Sequence, residues 1–279
     1  MYRTQSRNHW LNIFFALFFI ALAVTWSGGG TAVYATNFTV NSTTDAVDAS
    51  PGNGTCASSL GECTLRAAIQ EANALAGADT ITLPAGTYTL ALAGTGEDAA
   101  ATGDLDVTGD LTITGAGEAT TIIQAGVAEG SGIDRVLEVV NSGIAVGLSD
   151  LTIRYGTITG NGGGIYSNGD MTVSNVALRD NSATIGAGGY FAAGSITMNN
   201  VTIASNAATN NGGGLHIRVA NNLTNITVDG NTSGGSAAGV HIETALGANV
   251  TSSIFTNNIN AFNTYGGGLY TTTGPATVT

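Results

Sequence analysis

From Gly162 to the end of the chain, one short pattern of apolar, polar and glycine positions returns again and again. It reads GGGIYSNGDMTVSNVALRDNSAT from Gly162, AGGYFAAGSITMNNVTIASNAAT from Ala187, GGGLHIRVANNLTNITVDGNTSG from Gly212 and AAGVHIETALGANVTSSIFTNN from Ala237. The last glycine of each cluster, Gly164, Gly189, Gly214 and Gly239, steps by 25 residues, and Gly268 follows after 29. The pieces between the Gly and Asn punctuation are short and mix Ile, Val, Leu, Thr and Asn. A helical repeat would need about ten residues of unbroken 3.6 periodicity, so each period is expected to be one coil of a β-solenoid.

Three columns run down this ladder. Neighbours on a strand face opposite sides, so Ile165, Tyr190, Leu215, Val240 and Leu269 are expected inward, and Tyr166, Phe191, His216, His241 and Tyr270 outward. A further inward line is Leu178, Ile203, Val228 and, after a two-residue insertion, Phe255. Asn181, Asn206, Asn231 and Asn258 sit three residues beyond it, where stacked amides bond one another and Asn tolerates the left-handed conformation of a tight corner.

Earlier coils are less regular but still alternate. ADTITLPAGTYTL from Ala78 reads as strand, turn and strand, GTGEDAAATGD is an acidic excursion, and DLDVTGDLTITGAGEATTII, DRVLEVV and DLTI continue the winding. Ahead of them, CTLRAAIQEANALAG, Cys63 to Gly77, holds the one helical stretch, expected over residues 63–76 and stopped by the glycine. Leu65, Ala68, Ile69 and Ala72 give it one apolar face, suited to covering the first coil of a solenoid. The chain stops at GPATVT in what reads as a strand after a bend, so residues 36–279 are expected to be one β-helix cut from a longer protein.

Composition agrees: 41 Gly, 3 Pro and no lysine suit tightly wound coils. Residues 1–35 hold two arginines and no acid, an apolar run WLNIFFALFFIALAV, and Val33-Tyr34-Ala35, the pattern of a cleaved signal peptide. That run is shorter than the roughly 20 residues of a membrane span, so an exported chain with no integral span is expected, secreted or at the cell surface. The overall net charge of −12 would become more negative without this segment, which argues against nucleic acid and leaves polycations, metal ions and neutral glycans as partner classes. Cys56 and Cys63 are the only cysteines and are expected to form a disulfide pinning the loop to the helix.

The helix and its flanks, NFTVNSTTDAVD before it and ADTITLPAGTYTL after it, resemble the start of bacterial surface and secreted proteins with a CSLREA motif. Here the motif is Cys63, Thr64, Leu65, Arg66, Ala67 and Ala68, with Thr for the serine and Ala for the glutamate. The resemblance implies an all-β, right-handed parallel β-helix of the pectate-lyase-like class, and export; it does not imply an enzyme.

Four candidate chemistries follow. Arg154 and Arg179 should stack on successive coils, with Asp180 adjacent and Asp229 two coils on, a thin outline of a polysaccharide lyase. A hydrolase needs two facing carboxylates, and the sequence places no such pair. Glu97, Asp98, Asp104, Asp106 and Asp110 could gather around calcium, the one cofactor the composition suggests, although their spacing matches no standard calcium loop. The outward rings Tyr166, Phe191, His216, His241 and Tyr270 would lie about 4.8 Å apart, suited to a sugar face or simply to one another, with Arg218 and Glu243 pairing beside them. Together these favour a structural or adhesive module with an extracellular glycan or cell-surface protein as partner, over a carbohydrate-active enzyme or a calcium-stabilised glycan-binding module.

Overall fold

The alternating segments fold as short strands, each hydrogen-bonded to its equivalent one coil away, in a computed structural model that describes residues 34–243, 248–262, 265–272 and 276–279. The expected signal peptide, 1–35, lies almost wholly outside the described residues. The chain winds into a parallel β-helix of about six turns, roughly 26 residues each. Among the described residues the strands form a long sheet of 12, a second sheet of 7 and a corner sheet of 4, and they pair in parallel. Among the described residues no helix is long and apolar enough to cross a membrane.

The long sheet follows directly from period-two alternation. Its regular members, Asp170–Arg179, Ser195–Ala204 and Ala220–Asp229, pair residue for residue. Val173, Met198 and Leu223 stack inward in one column, and Leu178, Ile203, Val228 and Phe255 in another, as expected. Each fully buried Leu or Ile contributes about 1.5–3 kcal/mol, so coils are added at a steady gain.

The Asn ladder is present. Asn206 Nδ2 donates to Asn231 Oδ1 at 3.0 Å and to the Leu178 carbonyl at 2.9 Å, while its own Oδ1 accepts from the backbone and side-chain N–H of Asn181. The left-handed residue, however, is the one before each Asn: Asp180, Ser205, Gly230 and Asn257 have φ of 56°, 55°, 63° and 52°. The ladder residues are thus selected for their amides, and the corner conformation falls on their neighbours. A second left-handed column, Asp150, Asn175, Asn200, Asn225 and Ser252, bends the long strands midway. Its exposed amides also bond along the stack, from Asn175 to Asp150, Asn200 to Asn175 and Asn225 to Asn200.

One register differs from expectation. In the seven-stranded sheet Ile165 pairs with Gly189, and Gly189 with Leu215, so the step is one residue short and then one long. Tyr190 therefore faces outward and Phe191 inward, the reverse of the expected assignment. The cause is volume: Gly189 brings no side chain to a position held by Ile or Leu in the coils beside it. The Phe191 ring fills that space, and a Cβ at Gly189 would meet it at 3.0 Å. Counting from the last glycine aligned the wrong residue, because Gly188 is the counterpart of Gly164 and Gly214. A Cβ on Gly188 would lie 2.5 Å from the Gly214 carbonyl of the next coil, so that column requires glycine.

The cap also departs from the single-faced helix expected. The helix spans Leu65–Ala74, with Thr64 as N-cap accepting from the Ala67 N–H. Every residue from Leu65 to Ala72 is buried, polar ones included, because the preceding loop wraps its outer side. Cys56 and Cys63 form the expected disulfide in that loop. Arg66 pairs with Asp45 at 2.6 Å and donates to the carbonyls of Ala100, Gly103 and Asp104. Glu71 accepts the Gly52 and Gly54 N–H groups, and Gln70 bridges Asp48 N and the Ala100 carbonyl. Leu65, Ala68, Ile69 and Ala72 join the core cluster that runs through the coils.

Candidate functional site

The seven-stranded sheet carries one outward column from end to end: Asp106, Glu138, Tyr166, Tyr190, His216, His241 and Tyr270. Four of the five expected ring residues are in it, with Tyr190 in place of Phe191, which is 1 % exposed in the core. The rings stack on one another. Tyr166 and Tyr190 lie 5.5 Å apart and nearly parallel, Tyr190 and His216 are 5.1 Å apart, and His216 and His241 meet edge to face at 4.6 Å. Tyr190, His216 and His241 are only 7 %, 3 % and 3 % exposed. Their faces are occupied by neighbouring rings, so a sugar cannot lie on them as an open aromatic platform would allow.

Arg218 and Glu243 pair at 2.7 Å beside the column, and Glu243 also reaches His216 Nε2 at 3.3 Å. Burial lowers the pKa of His216, opposed by Glu243. His241 is pushed down to about 4, by burial first and by His216 second. Neither ring nitrogen of His241 has a hydrogen-bond partner among the described residues.

At the other end of the same column the rings give way to acids. Asp106 and Glu138 are direct partners on adjacent strands, and with Asp104 they offer oxygen atoms within 4.8 Å of one another. Burial, then Asp106 and Asp134, raise the Asp104 pKa to about 8, while Arg135 opposes the rise. Burial raises Asp106 to about 7 despite its hydrogen bond from the Ala100 N–H. Arg135 lies 3.4 Å from Asp104, pairs with Glu138 and sits 5.2 Å above the Tyr166 ring, joining the acidic and aromatic halves. A cleft of about 320 Å³ opens beside the acids, lined by Asp98, Asp104, Asp134, Arg135 and Glu138 among others.

Of the expected acidic group, Asp104 and Asp106 converge. Asp98 lines the cleft, and Glu97 also lines it while its oxygens accept the Ala99 and Thr102 N–H groups. Asp110 lies elsewhere and accepts from the Ala145 N–H. Sequence reading missed Glu138 and Asp134, although Leu-Asp-Val at 105–107 and Leu-Glu-Val at 137–139 are the same strand written twice.

Arg154 and Arg179 do stack as partners, with Asp229 in the same column. No carboxylate group gathers around them among the described residues. Arg154 donates to Gln124 at 2.8 Å and lies over the Tyr155 ring, Arg179 pairs with Asp180 at 2.9 Å, and Asp229 accepts from Thr256 and Asn257.

No protein-family model, curated protein or solved structure matches this chain. The site must therefore be judged on its own chemistry.

That chemistry includes a surface the sequence reading did not single out. On the outward face of the long sheet, one column runs Asn37, Thr80, Thr112, Gly147, Thr172, Thr197, Asn222, Asn249 and Thr277. The next runs Thr39, Thr82, Thr114, Ser149, Ser174, Asn199, Thr224 and Thr251. None of these is charged, in a chain of net charge −12, and all are exposed or half-buried. At Gly147 the missing side chain leaves a shallow groove of about 460 Å³ between Thr112 and Thr172, with the carboxylates Asp110 and Asp170 at its edge. The signal was present as Thr-Ile-Thr at 80–82 and 112–114, but only the observed register makes rows of it.

Proposed function

We propose that the chain is a non-catalytic adhesive module, working at the cell surface or outside the cell, that docks on neutral polysaccharide through the outward face of its long sheet. The observation that carries this reading is the pair of uncharged Thr, Ser and Asn columns. Nine strands about 4.8 Å apart present hydroxyls and amides along about 40 Å, a length suited to an extended polymer. Such groups donate and accept hydrogen bonds to sugar hydroxyls, and the strands that carry them are fixed by the core, so little ordering cost attends docking.

The disulfide supports an oxidising compartment. The CTLRAAIQEAN helix, with Arg66, Gln70 and Glu71 each tying a loop, supports kinship with CSLREA-type surface proteins. The self-stacked rings fit a structural role better than a ligand platform. The acids beside Tyr166 favour one second reading, a carbohydrate-active enzyme, but Asp106 at 0 % exposure is out of reach of a polymer.

The test is incubation of the purified chain with a panel of insoluble neutral and acidic polysaccharides, scoring both the protein retained and the sugar ends released. Retention on a neutral polymer without release is expected. Cleavage of any polymer would overturn the non-catalytic reading, and failure to bind any neutral polymer would overturn the adhesive one.

A further inference from the structure

We propose that Asp104, Asp106 and Glu138 bind a single calcium ion where the first rungs of the seven-stranded sheet meet the cap. This inference stands apart from the polysaccharide reading and uses a different face of the molecule.

Three features of the geometry point to a cation. The first is spacing: oxygens from the three carboxylates lie within 4.8 Å of one another, the spread that ligands at about 2.3–2.6 Å from one calcium would have. The second is an orphaned atom. Asp106 is completely buried, its Oδ2 accepts the Ala100 N–H at 2.8 Å, and its Oδ1 has no hydrogen-bond partner among the described residues. A buried carboxylate oxygen without a donor is costly unless a proton or a cation satisfies it. The third is pairing: Asp106 and Glu138 are directly opposed on neighbouring strands, an arrangement of like charges that destabilises a sheet on its own.

Arg135 does not balance this charge. Its guanidinium pairs with Asp104 and Glu138, which leaves Asp106 without a cationic partner among the described residues, and Asp134 at 3 % exposure adds another carboxylate nearby. The donor set is all oxygen with neither His nor Cys, which selects a hard cation over zinc or copper. Asp104 and Glu138 line the adjoining cleft, which offers room for an ion's remaining water ligands, while Asp106 lies at 0 % exposure. The loop that precedes them is held by the capping helix, through Arg66 to the Gly103 and Asp104 carbonyls and through Arg66 and Gln70 to Ala100. That bracing keeps Asp104 and Asp106 in place before an ion arrives, while Glu138 is fixed by strand pairing with Asp106, the condition for a tight site.

The experiment is calorimetric titration of the chelator-treated full chain with calcium chloride alone, with magnesium chloride as the competitor and thermal unfolding in parallel. One calcium per chain and a calcium-dependent rise in Tm are expected. Asp106→Asn and Glu138→Gln should each weaken binding by roughly tenfold or more, while Asp110→Asn, outside the cluster, should bind as the parent does. Asp106→Asn should also melt higher than the parent in chelator, because it removes a buried charge, and should lose the rise with calcium. Indifference of both heat and Tm to millimolar calcium would overturn the site. So would undiminished binding in both cluster variants, or magnesium binding as tightly as calcium.

Discussion

Asn206 is bonded to the coil on either side of it, and it shows what a single side chain does in this fold. It accepts from Asn181 and donates to Asn231 and to the Leu178 carbonyl, all in the buried interior. Asn206→Ala leaves several of those groups without partners, at about 1–3 kcal/mol for each group buried unsatisfied. A loss of about 3 kcal/mol in denaturant unfolding is expected. Asn200→Gly, in the exposed ladder, keeps the left-handed conformation and gives up only solvent-facing bonds, so a change below about 1 kcal/mol is expected. His241 supplies a pH dependence at the same scale. Its folded pKa of about 4 lies below the ordinary value of 6.5, so the fold favours the neutral ring. The contribution is complete above about pH 6.5 and is lost as pH falls toward 4, and the size of the shift sets an upper bound of about 3 kcal/mol. His241→Gln should flatten the decline of Tm between pH 7 and 4 relative to the parent.

At the scale of elements, the cap and the sheets differ in how much the sequence disclosed. The long strands were legible because Val173, Met198 and Leu223 alternate with polar neighbours over ten residues at a near-constant period. The helix was legible from Leu65, Ala68, Ile69 and Ala72, but its polar residues looked like a solvent face. Only the wrapped loop reveals that Arg66, Gln70 and Glu71 are buried ties. Arg66→Met should therefore cost about 3–5 kcal/mol, since it leaves the Asp45 carboxylate, its side chain 3 % exposed, with only the Ala91 and Leu92 N–H groups, and frees three carbonyls. Arg179→Ala, an ion pair near the surface, should change stability by less than about 1 kcal/mol. The three-residue strands of the seven-stranded sheet were hardest to place. Over so short a length a single slip exchanges inside for outside, and the Gly189 and Phe191 exchange of volume caused that slip.

Across the whole molecule, the candidate sites lie on lines that only registration of coils creates. Asp106 and Glu138 come from one unremarked strand echo, and the uncharged face comes from Thr-Ile-Thr segments that look like ordinary exposed strand positions one at a time. A period read from the sequence predicts a solenoid, but which residues share a column depends on insertions between coils, and those are longest before Gly162. The proposed adhesive surface is the pair of uncharged Thr, Ser and Asn columns on the long sheet, flanked by Asp110 and Asp170. Its most direct test is equilibrium depletion onto the neutral polysaccharide that retains the parent chain, comparing the parent with a Thr172→Lys, Thr197→Lys double variant that crowds both exposed positions. With circular dichroism and Tm unchanged, affinity is expected to fall by about tenfold, or about 1.4 kcal/mol. Equal binding by the parent and the folded variant would contradict it.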